Sequence, residues 1–398
     1  MMQLPEEIRP RKPVVFVMPW YGERITGGAE ALCRDYCHAL RSAGVDARVA
    51  ATCCHDAQSD WNRNQHAPGE RTESGVPVRR FPVCKRDWLV FDQINRNLLN
   101  RYPISPSDER RFFEESIRSE ALEEWLRESA AELHAIFLPY CFGSTYFGVR
   151  AAGEHGTLLP CLHQESYAWM QPVREMFERA PRLIFNSEPE RRFANQLFKL
   201  GHKPQIVLGC GVELERRGEA ERFRKKFGVE RPYLLYLGRK DATKNVPLLT
   251  QFFERLLEAA PLELDLLLAG PDRAPLARGG SSRVRDLGML TDQDKLDALE
   301  GCLALAQPSL HESLGIVLLE AWRAGRPVIV NDYCDVTREL CSQAGGGLYF
   351  RDFFEFREVV ERLAGQPDEA AQLGAQGRQW VERECRWEVL VRRLCEFL

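Results

Sequence analysis

Twice along this chain, short runs of Val, Ile, Leu and Phe alternate with longer amphipathic stretches, and that rhythm admits few folds. A run that is apolar without alternation reads as a strand buried on both faces, and such strands belong to parallel sheets covered by helices. The first series offers strands at 14–19, 47–52, 76–83, 135–139, 158–163 and 183–186, with helices over 28–42, 108–133 and 188–200. A second series follows the turn at 201–204, with strands at 205–208, 233–237, 264–269, 284–287, 303–306 and 327–331. A chain of 398 residues is longer than one hydrophobic core usually serves. The expectation is an α/β protein of two Rossmann-like domains. The polar stretch 57–75 reads as a surface loop, and everything after Phe350 as helix.

Other classes are set aside by what the chain lacks. Net charge is -4 and no long run of Lys or Arg stands out, so nucleic acid is not an expected partner. The 13 cysteines are scattered without a Cys-x-x-Cys pair, which indicates neither a disulfide framework nor a zinc site. Cys33 and Cys37 share a helix face but have no second ligand pair. The N-terminal residues are polar and the first apolar run, 14–20, is too short for an export signal or a membrane span, so a cytoplasmic protein is expected. The stretch 79–101 mixes Arg and Lys with Phe, Trp and Leu, which fits a solvated loop with one buried anchor or a peripheral contact with the inner face of a membrane.

In an open parallel sheet, ligands bind beyond the carboxyl ends of the strands, where free N–H groups of a helix start can meet an anion. The first strand exits into Tyr21-Gly22-Glu23-Arg24-Ile25-Thr26-Gly27-Gly28, whose paired glycines permit close backbone approach. The strand 233–237 exits into Gly238-Arg239-Lys240-Asp241-Ala242-Thr243-Lys244-Asn245. There Arg239 offers a planar fork and Lys244 a mobile point charge, the pair suited to a diphosphate. A later strand exits into Pro308-Ser309-Leu310-His311-Glu312-Ser313-Leu314-Gly315 and a helix carrying Glu320. Eight residues of ideal helix climb about 12 Å, so Glu312 and Glu320 can address different parts of one extended ligand. His311-Glu312 is not a metalloprotease helix, because the fourth residue after His311 is Gly315. Asp292-Gln293-Asp294 has the form of a metal-binding pair, but Thr291 before it reads as a helix cap and the acidic residues as a complement to the helix dipole.

In this order, Gly27-Gly28, His163, Asn186-Ser187, Gly209-Cys210-Gly211-Val212, Gly238-Arg239 with Lys244, Gly270, Glu312 to Glu320, 325–329 and Trp387 resemble a family 4 glycosyltransferase of the GT-B fold, whose signature is Glu, seven residues, Glu. The resemblance covers nearly the whole chain. It implies two Rossmann-like domains with parallel sheets facing across a cleft: an acceptor-side domain over 1–204, a nucleotide-sugar donor domain over 205–375, and C-terminal helices over 376–398 packing back on the first domain. It implies transfer of a hexose-like unit, with retention of anomeric configuration, from a nucleotide diphosphate donor to a glycan, lipid-linked or small-molecule acceptor, as in polysaccharide biosynthesis.

By the same resemblance Glu320 holds the ribose, Arg239 and Lys244 neutralise the diphosphate, Glu312 faces the donor sugar, and the backbone of Ser313, Leu314 and Gly315 touches sugar and phosphate. Gly27, Gly28, Gly238 and Gly270 line the donor, and His163 lies near the reacting carbon. No metal or other cofactor is implied. Two positions depart from the common pattern: Gln164 follows His163 where many members have Asp, and Asn245 follows Lys244 where Gly is usual. Competing readings are a nucleotide-sugar epimerase, a glucan phosphorylase, which needs a lysine-bound pyridoxal phosphate and a longer chain, and a non-catalytic sugar-nucleotide binding protein.

Overall fold

The computed structural model describes residues 4–23, 25, 27–240, 242–260, 262–271 and 281–398. Arg24, Thr26 and Asp241, which belong to loops singled out above, lie outside the described residues. The chain divides into a first unit of residues 1–210 with 388–398 and a second of residues 211–387.

The first unit is built on one sheet of β1 (Val14–Met18), β2 (Ala47–Thr52), β3 (Gly69–Glu73), β4 (Val76–Phe81), β5 (His134–Phe137), β6 (Gly156–Leu158), β7 (Arg182–Phe185) and β8 (Gln205–Val207), in the order β3-β4-β2-β1-β5-β6-β7-β8. Only the β3–β4 pair is antiparallel. All five residues of β1 are buried, which is why the sequence reads there as an unbroken apolar run. Strand order reverses between β1 and β5, so the crevice beyond their carboxyl ends is the place where such a sheet binds ligands.

Four sequence expectations change here. β3 lies inside the expected loop 57–75; its residues, Gly-Glu-Arg-Thr-Glu, are almost all exposed on an edge strand, so no apolar face marks it. The strand at 205–208 was assigned to the second series, yet β8 pairs with β7 through Leu183↔Gln205, Ile184↔Ile206 and Phe185↔Val207 and closes the first sheet. The turn before it is an ordinary helix-to-strand connection and carries no boundary signal. The expected helix 108–133 is two helices, Pro106–Glu114 and Glu120–Ser129, because Ser119 caps the second by accepting from Leu122 N–H. The stretch 79–101 holds a helix, Trp88–Leu99, started by the Asp87 carboxylate accepting from the N–H groups of Leu89 and Val90.

The second unit holds β9 (Tyr233–Leu237), β10 (Asp265–Ala269), β11 (Val284–Asp286), β12 (Ala304–Gln307), β13 (Val328–Asn331) and β14 (Gly347–Phe350), all parallel, in the order β11-β10-β9-β12-β13-β14. Its reversal falls between β9 and β12. β9 and β10 are buried at every position. The helix Pro367–Glu384 lies in this unit, whereas residues 388–398 return to the first. Among the described residues no helix is long and apolar enough to cross a membrane.

Candidate active site

In the second unit, the loops singled out in the sequence leave the two strands on either side of the reversal. From β9 the chain passes through Gly238 to the exposed Arg239, makes a short 3-10 turn over Ala242–Lys244 and enters the helix Val246–Ala259. From β12 it passes through Pro308 to Glu312 and enters the helix Ile316–Arg323. The two exits meet where Lys244 Nζ lies 2.7 Å from Glu312 Oε1, with 20% and 12% of the side chains exposed. Gln307 Nε2 donates to the same carboxylate oxygen over 3.2 Å. A pair so shielded is screened less by salt than a surface pair.

Asn245, one of the two departures noted above, has φ 58 and its side-chain amide donates to Pro308 O over 3.2 Å. Asparagine enters the left-handed region more readily than most residues. Replacing glycine here therefore keeps the turn and adds a bond between the β9 and β12 exits.

Lys240, unassigned in the sequence, is buried; its ammonium donates to Gly270 O at 2.7 Å and to Asp286 Oδ1 at 2.6 Å. Of the three cations at this exit, the middle one is thus spent on structure. Gly270 has φ 139, and a Cβ there would stand 2.0 Å from Gly238 O, so the two loops lie backbone on backbone and only glycine fits. The exits of β9, β10 and β11 are locked together. Arg239 remains at the surface, its carbonyl held by the Tyr236 hydroxyl at 2.5 Å.

Gly315 sits at the start of the helix Ile316–Arg323 with φ 80. The interval from Glu312 to Glu320 is therefore not continuous helix, and the ideal climb inferred from spacing does not apply. Glu312 stays in the loop beside Lys244, while Glu320 stands within the helix with Oε1 2.6 Å from Lys295 Nζ on the helix Asp292–Gly301. Ser313 is half-buried and Leu314 buried between them. Lys295 carried no sequence signal, because its partner comes from a different strand exit. Asp292 and Asp294 occupy the first turn of Lys295's helix: Thr291 Oγ accepts from Asp294 N–H at 3.1 Å, and the Asp294 carboxylate takes Lys226 Nζ at 2.7 and 2.8 Å. Chemically, this edge offers an exposed guanidinium, two lysine–glutamate pairs and a helix start, a set suited to an anionic ligand rich in hydroxyls.

In the first unit, His163 follows β6 and is half-buried, with Nδ1 3.4 Å from Glu165 Oε1. The same oxygen accepts from the hydroxyl of Tyr140, beyond the β5 exit, at 2.9 Å. The preceding residue is fixed by Glu190: Leu162 N–H donates to its Oε1 at 2.5 Å and Asn186 N–H to its Oε2 at 2.6 Å. Burial pushes the Glu190 carboxyl up to about 8, against the pull of the N–H groups of Asn186 and Leu162. Gly27 and Gly28 open the helix Gly28–Ser42, with Glu30 turned back so that its Oε1 accepts from Trp20 Nε1 at 2.6 Å. The loop before them is held by Arg80, whose buried guanidinium donates to Tyr21 O at 2.7 Å and Thr52 O at 3.3 Å and pairs with Glu73 at 2.8 Å. Neither Arg80, Glu165 nor Glu190 was singled out as functional in the sequence.

Residues 218–380, about two fifths of the chain, match the family described as Glycosyl transferases group 1, and this segment lies wholly within the second unit. Over 210 residues the chain is 30% identical to the GDP-mannose-dependent monoacylated alpha-(1-6)-phosphatidylinositol monomannoside mannosyltransferase of Corynebacterium glutamicum, covering 48% of this chain and 55% of that protein. The chain spans about half the length of the curated relatives it matches. Among solved structures it is similar to Anabaena Alr3699/HepE in complex with UDP and glucose, with TM-score 0.69 at 14% identity, covering 97% of this chain and 99% of that one. It is also similar to WaaG, a glycosyltransferase involved in lipopolysaccharide biosynthesis, with TM-score 0.66 at 15% identity over 96% and 98%. The fold is GT-B: two α/β units on largely parallel sheets.

Proposed function

We propose that this chain is a retaining, metal-independent glycosyltransferase that moves a hexose-like sugar from a nucleotide diphosphate donor to a glycan, glycolipid or small-molecule acceptor in glycoconjugate biosynthesis. One observation carries the reading: the Lys244–Glu312 pair joins the β9 and β12 exits, on the loop that also carries exposed Arg239, at the reversal of a sheet whose segment matches a glycosyltransferase family. A donor of this class is an anion at one end and a polyol at the other. Arg239 and Lys244 take its diphosphate, assisted by the start of the helix Ile316–Arg323; Glu320 takes the ribose hydroxyls; Glu312 and the backbone of Ser313 to Gly315 take the sugar. Gly238 and Gly270 bring backbone close to the donor; for Gly27 and Gly28 a donor contact, and for His163 a contact with the transferred sugar, rest on the resemblance alone.

In the step itself the bond from the anomeric carbon to the diphosphate oxygen breaks, and the acceptor oxygen bonds on the same face. The acceptor proton passes to the departing phosphate oxygen. The protein chiefly stabilises the charge that gathers on the leaving group, and two fixed cations supply what a metal supplies elsewhere. The epimerase and pure-binder readings lack a comparable support in the relatives.

The same reading places the protein on the cytoplasmic side, touching the membrane when the acceptor is lipid-linked. Trp88, Leu89, Leu99 and Tyr102 expose 53%, 61%, 56% and 63% of their surface on and just past the helix Trp88–Leu99, with exposed Lys85, Arg96 and Arg101 nearby.

The test is a thermal-shift screen of nucleoside diphosphates and their sugars, followed by transfer assays with and without EDTA, anomer assignment of the product by NMR, and flotation with anionic vesicles. The expected result is stabilisation by one nucleotide class, EDTA-resistant transfer with retention, and flotation that Trp88→Ser/Leu89→Ser abolishes. Absence of any nucleotide-induced stabilisation and of transfer overturns the assignment; conversion of the donor without acceptor replaces it with the epimerase.

A further inference from the structure

We propose that Glu165 is the positioning residue for His163: its carboxylate takes the imidazole Nδ1–H, leaves Nε2 as a bare acceptor for a hydroxyl of the transferred sugar, and is itself held in place by Tyr140. The inference deepens the reading of His163 as a sugar-contacting group and rests on that reading.

Three elements converge on one oxygen atom. Tyr140, beyond the β5 exit and 1% exposed, donates its hydroxyl to Glu165 Oε1 at 2.9 Å. His163, beyond the β6 exit, sets Nδ1 3.4 Å from the same atom. The His163 separation is an ion-pair distance, a few tenths of an ångström longer than an ordinary hydrogen bond. Burial, followed by the Glu165 charge, pushes the Tyr140 phenol well above its ordinary range, so it remains a donor wherever the enzyme works. The chain between the histidine and the carboxylate is closed by Glu165 N–H donating to His163 O at 2.9 Å. Glu165 then starts the 3-10 turn Ser166–Trp169, so its backbone is fixed from both directions. From behind, Glu190 pins Leu162 at 2.5 Å.

Neutral imidazole in water favours the proton on Nε2, the tautomer that offers a donor at the far nitrogen. A carboxylate on Nδ1 inverts that preference, as it does wherever a histidine is oriented by an acidic neighbour. The departure at Gln164 gains a meaning here. The carboxylate stands at Glu165, one residue beyond the position where the resembled family commonly has Asp, and Gln164 is exposed.

The experiment reads the tautomer directly, by long-range 1H–15N NMR of the histidine rings in the full chain, with His163 resonances identified by their loss in His163→Gln. Turnover and donor KM are measured in parallel for wild type, Glu165→Ala, Glu165→Gln and Tyr140→Phe. Expected are an Nδ1–H ring in the wild type and an Nε2–H ring in Glu165→Ala, with kcat down about tenfold and donor KM within about threefold. Glu165→Gln, whose side-chain oxygen still accepts, keeps the wild-type tautomer and most of the turnover; Tyr140→Phe falls between. An Nε2–H ring in the wild type, or a tautomer indifferent to Glu165→Ala, overturns the proposal even if one variant fails to fold. A tautomer that responds as expected while His163→Gln turns over normally leaves the positioning role intact and removes His163 from the reaction.

Discussion

The two sheets differ in how much charge they leave accessible at the carboxyl ends of their strands. In the second unit Lys240 is buried, but two charged pairs at the exits stay partly exposed: Lys244 and Glu312 are 20% and 12% exposed, Lys295 and Glu320 are 34% and 17%. In the first unit the equivalent places are filled by buried polar groups spent on backbone. Arg80 binds Tyr21 O and Thr52 O, and Glu190 binds Leu162 N–H and Asn186 N–H. A carboxylate paired with a lysine side chain can exchange that lysine for a ligand that brings its own donors to the same oxygens. One whose oxygens carry backbone donors cannot. On the proposed function the second unit offers charged pairs to an incoming donor, while the first uses Arg80 and Glu190 to fix its loops.

The sharpest way to break that contrast is to remove a cation from the second unit. Lys244→Ala and Arg239→Ala are each expected to lower turnover by roughly 10²–10³, the loss typical of one preorganised group facing a developing negative charge. The melting temperature should move by only a few degrees. Steady-state kinetics beside thermal unfolding checks both parts. Near-normal turnover in either variant would show that these cations are spent on structure, as Lys240 is.

How much of this was readable beforehand follows the same line. The bounds of β2, β9 and the helix Gly28–Ser42 coincide with the sequence expectation, since each is an apolar run or amphipathic stretch closed by a clear breaker. Arg239, Lys244 and Glu312 stand a few residues past a strand end and Glu320 follows Glu312 at a fixed spacing, so the sequence marks these positions as candidates, while their roles stay with the proposal. Lys295 and Arg80 were not, because each acts on a partner that only the topology brings near, and the same holds for the bonds of Glu165 to Tyr140 and of Glu190 to Leu162. Arg80 reaches Tyr21 O across 59 residues of chain, and Lys295 reaches Glu320 across 25. β3 escaped for a different reason: its solvated residues leave no period to detect.

Glu190 allows the first unit to be probed through pH. Its carboxyl is raised by burial from an ordinary 4.5 to about 8. Between those values the folded chain keeps a proton that the unfolded chain releases, so stability is full below about pH 4.5 and declines as pH rises through 8. The loss is on the order of 5 kcal/mol. Hydrogen exchange at Leu162 and Asn186 should slow at pH 5 relative to pH 8.5, after correction for intrinsic rates, and Glu190→Gln should flatten that dependence. Protection that stays level from pH 5 to pH 8.5 would mean that the backbone donors hold the group ionised throughout.

The smallest effect tests whether the exposed pairs of the second unit serve the ligand or only each other. Lys295 holds Glu320 at 2.6 Å from a separate helix. If Glu320 takes the ribose, its lysine sets the rotamer and keeps the carboxylate ready to accept two hydroxyls, but touches none of the atoms that react. Lys295→Met keeps the length of the side chain and removes the charge. It should raise donor KM about three- to tenfold, near 1 kcal/mol, and leave kcat unchanged, the pattern of lost uniform binding. A fall in KM would mean that Lys295 competes with the ribose for Glu320. A fall in kcat with KM constant would place Lys295 in the charge balance of the departing diphosphate, and the division between cations that react and cations that position would have to be redrawn.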